Sequence, residues 1–393
     1  MESVYITSAV RTPIGSFQGT LSSLSAPHLG AVAIKEALLR SHIKPEDVTE
    51  CLMGEVLTAG VGQAPARQAA LYAGLPNSVA CLTINKVCGS GLKAVMLGAD
   101  GIRLNPEMIV IAGGQENMSQ APHLMENSRT GYRMGSVALV DSMIKDGLWD
   151  PYNNWHMGNA GELCVKENHF TREAQDEFAI NSYKKAQAAQ AQNFFKNEIV
   201  SVSIAGKKES LLIEKDEEPG NAKFDKMSSL KPAFDKQGTI TAANASKVND
   251  GASALVLMSE SQLKQRKLTP IAKIVSYATF AQDPKWFTTA PVGAIKKALQ
   301  MANLNTKDID LWEINEAFSV VTMTAIKELQ LNAEKVNPHG GAVALGHPLG
   351  ASGARVLTTL IHALHLQNKK YGLATLCIGG GEAVALIVEK VNQ

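Results

Sequence analysis

Cys88-Gly89-Ser90-Gly91, with Leu92, Val95, Met96 and Ala99 following at helical spacing, has a counterpart near the far end of the chain. There Gly350-Ala351-Ser352-Gly353 is followed by Val356, Leu357, Leu360, Ile361 and Leu364. In both places a glycine turn feeds an apolar helix face. The text around each turn repeats as well. His28-Leu29-Gly30-Ala31-Val32-Ala33-Ile34-Lys35-Glu36-Ala37-Leu38 is matched by Pro291-Val292-Gly293-Ala294-Ile295-Lys296-Lys297-Ala298-Leu299. The strand Cys51-Leu52-Met53-Gly54-Glu55 is matched by Leu311-Trp312-Glu313-Ile314-Asn315-Glu316, and Met108 to Gly114 by Leu373 to Gly380. Alternating strand and helix units of this kind build covered, mostly parallel sheets. The expectation is an α/β fold of two duplicated halves on a pseudo-twofold axis, with the glycine turns meeting in the middle.

The first half is interrupted. From about Pro122 to Ala245 the sequence turns polar and irregular, with one helix over Arg172 to Asn193 and a lysine-rich stretch. Ala252 to Met258 then resumes as a core strand. The division predicted is 1–121 plus 246–268 as the N-terminal half, 122–245 as an inserted loop domain, and 269–393 as the C-terminal half. A long insertion of this kind is a common place for substrate recognition.

Composition narrows the class. With 393 residues the chain can bury substantial cores, and its formal charge of +1 provides no field to recruit nucleic acid or an anionic membrane. The chain is 45% hydrophobic, yet no apolar run approaches the ~20 residues of a membrane span. The first residues run directly into Val4-Tyr5-Ile6-Thr7, and Lys390-Val391-Asn392-Gln393 reads as no retention or peroxisomal signal. Five cysteines without a close-spaced framework point to a reducing compartment. A cytoplasmic enzyme is expected, without nucleic-acid or membrane partners.

Three residues in glycine-rich settings carry the chemistry. Cys88 lies between an apolar strand and a helix, where the helix N-terminus favours thiolate by about 1 kcal/mol. The competing reading is a buried structural cysteine, but the flanking glycines give a clearance that a packed core position does not need. His347, in Gly346-His347-Pro348, is loop-borne, and thiol–imidazole pairing is a common activation of sulfur. Cys377 ends a strand before Gly379-Gly380-Gly381, and Ala383 to Val388 continues as strand, so the run reads as a hairpin presenting backbone N–H groups. No paired cysteine spacing suggests a metal, and none is predicted. Cys51, Cys81 and Cys164 read as core. Asn315, at a strand end, reads on spacing alone as a turn or cap.

Taken together, the Cys88 segment, Asn315-Glu316-Ala317-Phe318, Gly340 to Gly353 and Cys377 to Gly381 resemble the motifs of the thiolase family, in order and over essentially the whole chain. The resemblance implies a five-layered α/β/α/β/α fold, usually a tetramer, and a reversible acyl-transfer and condensation reaction. Coenzyme A thioesters (acetyl-CoA, acetoacetyl-CoA) and CoA itself would be substrates, with no resident cofactor. It implies that Cys88 takes the acyl group, His347 activates it, and Cys377 moves the α-proton of the second thioester. Asn315 (through a water) and His347 would hold the enolate oxygen, and the N–H groups of Cys88 and Gly379 the tetrahedral oxyanion.

His156-Met157 resembles the pair capping the acyl pocket of the short-chain branch. The segment with Ala242 and Ser246 resembles the pantetheine contact, with Phe234 and Leu148 beside it. Ala317 and Phe318 would line the reactive end, and Phe287 resembles the branch that also takes 2-methyl-branched substrates. Pro219 stands near that branch's potassium-associated tyrosine, so no potassium is expected. Lys223, Lys226 and Lys247 are available for the CoA phosphates. The alternatives are a ketoacyl synthase-like condensing enzyme, which lacks a reactive second cysteine, and an inactive thiolase-like CoA or lipid binder.

Overall fold

The computed structural model describes residues 2–206 and 209–391; Asn392 and Gln393, read above for targeting, lie outside them. Nine strands and eight helices position the site. The strands are β1 (Val4–Arg11), β2 (Glu50–Gly54), β3 (Ala80–Ile84), β4 (Ile109–Asn117), β5 (Asn249–Ser259), β6 (Ala272–Ala281), β7 (Leu311–Ile314), β8 (Tyr371–Ile378) and β9 (Glu382–Lys390). The helices are α1 (Ala26–Ser41), α2 (Pro65–Tyr72), α3 (Ser90–Leu104), α4 (Met157–Asn168), α5 (Arg172–Ala191), α6 (Ala290–Ala302), α7 (Ser319–Leu329) and α8 (Leu349–Leu366).

The duplication is visible in the strand order. The first half runs β1-β5-β4-β2-β3 and the second β6-β9-β8-β7, with Val336 bridged to Trp312 where a fifth strand would lie. In each half the first two pairings are antiparallel and the next is parallel. The sheets are therefore mixed rather than mostly parallel. The cause in the second half is the β8–β9 hairpin, whose Gly380 and Gly381 adopt φ of 87° and 84°, a left-handed turn that glycine alone adopts without strain. The two halves also join edge to edge, through Tyr5–Lys273 and Ile6–Ala272, so one continuous sheet runs through the molecule. Separate sheets would have been the simpler expectation from the repeat.

Three apolar layers glue the stack. Helix α1 packs outside the first half through Leu29, Ile34 and Leu38. Helix α6 packs outside the second through Val292, Ile295 and Leu299. Between the halves α3 and α8 share one core, with Leu92, Val95, Leu357 and Leu360 packed against Val110, Ala112, Ala374 and Leu376. This gives five layers, α/β/α/β/α. The central helices touch backbone to backbone at their first turns. A Cβ on Gly91 would stand 2.7 Å from Ala354 N, and one on Gly353 would stand 2.2 Å from Leu92 N. Real Cβ atoms do not approach that closely, so the two glycine turns fix how near the halves come.

Between β4 and β5 the chain leaves the sheet and forms α4 and α5. It is anchored to β1 by Arg11, which is buried. Its guanidinium donates to Glu198 at 2.6 Å and to both oxygens of Asp216 at 2.6 and 2.9 Å. Removing one partner of such a buried set costs about 3–5 kcal/mol, because the remaining charge is stranded out of water. No described helix is long and apolar enough to cross a membrane.

Candidate active site

Cys88 sits in a turn that the sequence strains deliberately. Val87 adopts φ 45°, in the left-handed region where a β-branched residue is an outlier. The turn holds because its backbone is tied from several sides. Val87 N–H donates to Asn85 Oδ1 at 3.0 Å and Lys86 N–H to Ser90 Oγ at 2.8 Å, while the Ser90 hydroxyl donates to Val87 O at 2.6 Å. The Lys86 ammonium pairs with Glu382 of β9, binding the turn to the other half.

The sulfur of Cys88 faces two main-chain N–H groups, its own and that of Gly379 in the β8–β9 turn. Burial nevertheless pushes its thiol up to about 12, and the Glu116 carboxylate adds to this against the two N–H groups. Desolvation is the largest of these influences on the thiol, ahead of the two N–H groups. Cys377, at the end of β8, is buried, and its thiol stands far above the usual range through burial first and the nearby Cys88 second. The two sulfurs therefore sense one another.

His347 lies just before α8 and is buried. Its Nδ1 is 2.6 Å from Ser352 Oγ, whose hydroxyl donates to Pro348 O at 2.8 Å. The hydroxyl has only one proton, so Nδ1 is the donor to Ser352 and Nε2 is left as the basic nitrogen. Among the described residues, Nε2 has no partner. Burial, helped by the Arg355 charge, pushes the imidazole down to about 3, so it is neutral across the physiological range. Ser352→Ala should lower kcat by about 10–100-fold with little change in KM, the usual scale for losing the group that orients a functional imidazole. Steady-state kinetics check this, and a wild-type kcat would remove Ser352 from the account.

Asn315 follows β7 and is buried, and among the described residues neither its amide oxygen nor its amide nitrogen has a partner. Such an amide is an orphan unless water or a ligand meets it. The adjacent Glu316 fixes the loop: it accepts from Ser182 at 2.7 Å, Asn337 at 2.8 Å and Val343 N–H at 3.1 Å.

The pocket wall is aromatic. His156 caps α4, its Nδ1 accepting from Gly158 N–H at 3.0 Å, and stacks on Phe234 with centroids 4.6 Å apart. Phe318 meets Phe234 edge-on at 5.9 Å and Phe287 at 6.3 Å. Met157, Phe287, Ala317, Phe318 and Cys377 belong to one apolar cluster, with Phe234 packed against it. Ser246 N–H donates to Ala317 O at 3.0 Å, which brings the 242–246 segment to the same wall, with Ala242 exposed at its start.

Leu148 is half-buried outside that cluster, next to Gly147, which abuts Leu349. The three lysines separate. Lys223 and Lys226 are exposed, whereas the Lys247 ammonium donates to the carbonyls of Ala242 and Ala245.

Two supports escaped the sequence reading. Ser352 appeared there only as part of a glycine turn. Glu116, at the end of β4, accepts from Val56 and Leu57 N–H at 3.1 Å each and from Gly350 N–H at 2.8 Å. It joins the β2 end to the helix that follows His347, and burial pushes its carboxyl up to about 7. The only sequence signal for it was an acid in an apolar strand.

Comparisons with known proteins agree with this architecture. Residues 4–261 match the thiolase N-terminal domain and residues 268–390 the thiolase C-terminal domain. An acetyl-CoA acetyltransferase of Cupriavidus necator is 55% identical over 99% of this chain and 100% of its own length. One from Escherichia coli is 49% identical over the whole of both chains. A thiolase from Ascaris suum, solved in complex with coenzyme A, superposes with a TM-score of 0.95 at 47% identity, over 99% of this chain and 100% of its own. The acetyl-CoA acetyltransferase of Bacillus anthracis gives 0.97 at 40% identity, over 100% and 99%. This chain belongs to the thiolase family.

Proposed function

We propose that the protein is an acetyl-CoA C-acetyltransferase, joining two acetyl-CoA into acetoacetyl-CoA and CoA through an acetyl-cysteine, or running the thiolysis in reverse. The observation that carries this is the buried neutral imidazole of His347, its Nε2 without a partner among the described residues, in a chain whose half-buried Cys88 and buried Cys377 thiols lie close enough to sense one another. In the resting site Cys88 and His347 are both neutral, and neutral groups are cheap to bury. As Cys88 attacks the thioester carbonyl, its proton passes to His347 Nε2. The oxyanion that develops meets the Cys88 and Gly379 N–H groups, already in place. CoA leaves as its thiolate and takes up the Cys377 proton, while His347 keeps the Cys88 proton on Nε2.

Acetylated Cys88 cannot ionise, so no charge on that sulfur opposes a thiolate at Cys377. Cys377 is thereby readied to take the α-proton of the second acetyl-CoA. The enolate oxygen is held by His347 Nε2–H and, through a water, by the otherwise unpartnered Asn315 amide. The carbanion then attacks the acetyl carbon, and Cys88 leaves, regaining its proton from His347 Nε2 while Cys377 keeps the α-proton.

The loop domain at 122–245, with His156, Met157, Phe234, Phe287 and Phe318, closes the acyl end, while Leu148, Ala242 and Ser246 flank the pantetheine arm. We assign the halves to 1–121 plus 246–268 and 269–393, in keeping with the repeated strand order. The chain acts as a homotetramer, which the unpaired edge of β3 and its exposed Leu82 support as a self-association surface. Five free cysteines support a cytoplasmic location. On this reading acetoacetyl-CoA exceeds a ten-carbon 3-ketoacyl-CoA in kcat/KM by about 100-fold or more, since a rigid aromatic wall excludes added methylenes. Thiolysis rates on both test it, and equal kcat/KM would reject the short-chain assignment.

A further inference from the structure

Glu55 directly follows β2 and is fully buried, as is Gln115 on the neighbouring strand β4. Gln115 Nε2 donates to Glu55 Oε2 at 2.6 Å. Among the described residues, the second oxygen of each, Glu55 Oε1 and Gln115 Oε1, has no partner. No cation among them acts on Glu55, and the charged group that does is another acid, Glu116. Other buried acids are better provided. Glu198 and Asp216 face the Arg11 guanidinium, and Glu116 accepts three main-chain N–H groups. A buried carboxyl with one donor and no cation is costly as an ion and far cheaper as an acid.

The pair lies between the two functional turns. Glu55 N–H donates to Ile84 O at 3.0 Å, just before the turn that carries Cys88. On the other side, a Cβ on Gly350 would stand 2.7 Å from both Glu55 Cα and Gln115 O, so the first turn of α8, after His347, rests on their backbone.

We propose that Glu55 is held as a neutral carboxylic acid, its Oε1–H donating to Gln115 Oε1 in a closed acid–amide pair, and that it is a positioning residue setting the Cys88 turn against the His347 loop. Loss of the proton turns one of the two hydrogen bonds into a repulsion between oxygens. It also places a negative charge beside Glu116, whose carboxylate holds Gly350 N–H. The two turns shift apart, and acyl transfer at Cys88 slows as pH rises.

Burial first, then Glu116, pushes the Glu55 carboxyl up to about 8 against the Gln115 hydrogen bond. Asp250 of β5 acts on Glu116 in turn, while α1 and α8 approach the pair through Gly30 and Gly350, which carry no charge. The Cys88 thiol, at about 12, is too high to produce the same alkaline loss. Because Glu55 is raised above its ordinary 4.5, the stability its proton gives is full below 4.5 and is lost as pH rises to about 8.

The test compares the intact enzyme with Glu55→Gln, a permanently neutral isostere. An infrared band of a protonated carboxyl, present in the parent at pH 7 and missing from the variant, is expected. The thermal midpoint of the variant should gain on that of the parent as pH rises from 5 to 8. Single-turnover acetylation of Cys88 by acetyl-CoA should fall several-fold more in the parent than in the variant between pH 7 and pH 9. That last readout rests on the acyl-transfer reading of the site, whereas the band and the midpoint report Glu55 whatever the site does. Identical infrared spectra, a Glu55→Gln chain that fails to fold, or parallel acetylation profiles would each overturn the proposal.

Discussion

Cys377→Ala is expected to accept an acetyl group from acetyl-CoA at close to the normal rate and yet to lose condensation and thiolysis by roughly 10²–10⁴-fold, the usual worth of a general acid–base group. Acyl transfer needs the Cys88 sulfur, His347 Nε2 and the N–H pair of Cys88 and Gly379, none of which is altered. Carbon–carbon bond formation also needs a proton taken from beside a thioester carbonyl, and the buried Cys377 thiol at the end of β8 is the group beside Cys88 that can move it. Hydrogen–deuterium exchange at the α-carbon of bound thioester should stop as well. A Cys377→Ala enzyme that still exchanged that proton and condensed normally would leave Cys377 a core residue.

Cys88→Ser should cost more, a loss of about 10⁴-fold or beyond in both directions, comparable with removing the nucleophile in other covalent mechanisms. The hydroxyl is nearly the size of the thiol and would keep the turn intact, but it is far harder to ionise. The site gives it no help, since burial already resists charge even on sulfur. The strained Val87 and its ties to Asn85 and Ser90 do not depend on the sulfur. The variant should therefore fold like the parent, and its circular dichroism and thermal midpoint are the controls. Near-normal turnover in Cys88→Ser would dismiss the nucleophile assignment.

Much of the architecture was legible in the text because it is written twice. The repeated helix, strand and glycine turn gave two duplicated α/β halves, the resemblance to the thiolase family implied the five layers, and Gly91 against Ala354 and Gly353 against Leu92 show why those glycines recur. The hairpin after Cys377 followed from strand-like text on both sides of three glycines. What sequence hid was long-range or environmental. The edge-to-edge join at Tyr5–Lys273 depends on how two halves settle, which no local pattern encodes.

The desolvation of Cys88 was hidden for a similar reason: a helix start is visible in sequence, but burial depends on neighbours far along the chain. Glu116 reaches Gly350 across 234 residues, and Lys247 turns back onto its own loop rather than toward solvent. Cys81 was read as core from its apolar neighbours, yet β3 is the sheet's outermost strand and leaves it half-buried.

The most direct measurement is to incubate the protein with acetyl-CoA alone, quench in acid, and locate the acetyl group by peptide mass spectrometry. The account predicts one acetyl group per chain, on Cys88, in the parent enzyme and in Cys377→Ala alike. An acetyl group on Cys377, or none on Cys88, would contradict it.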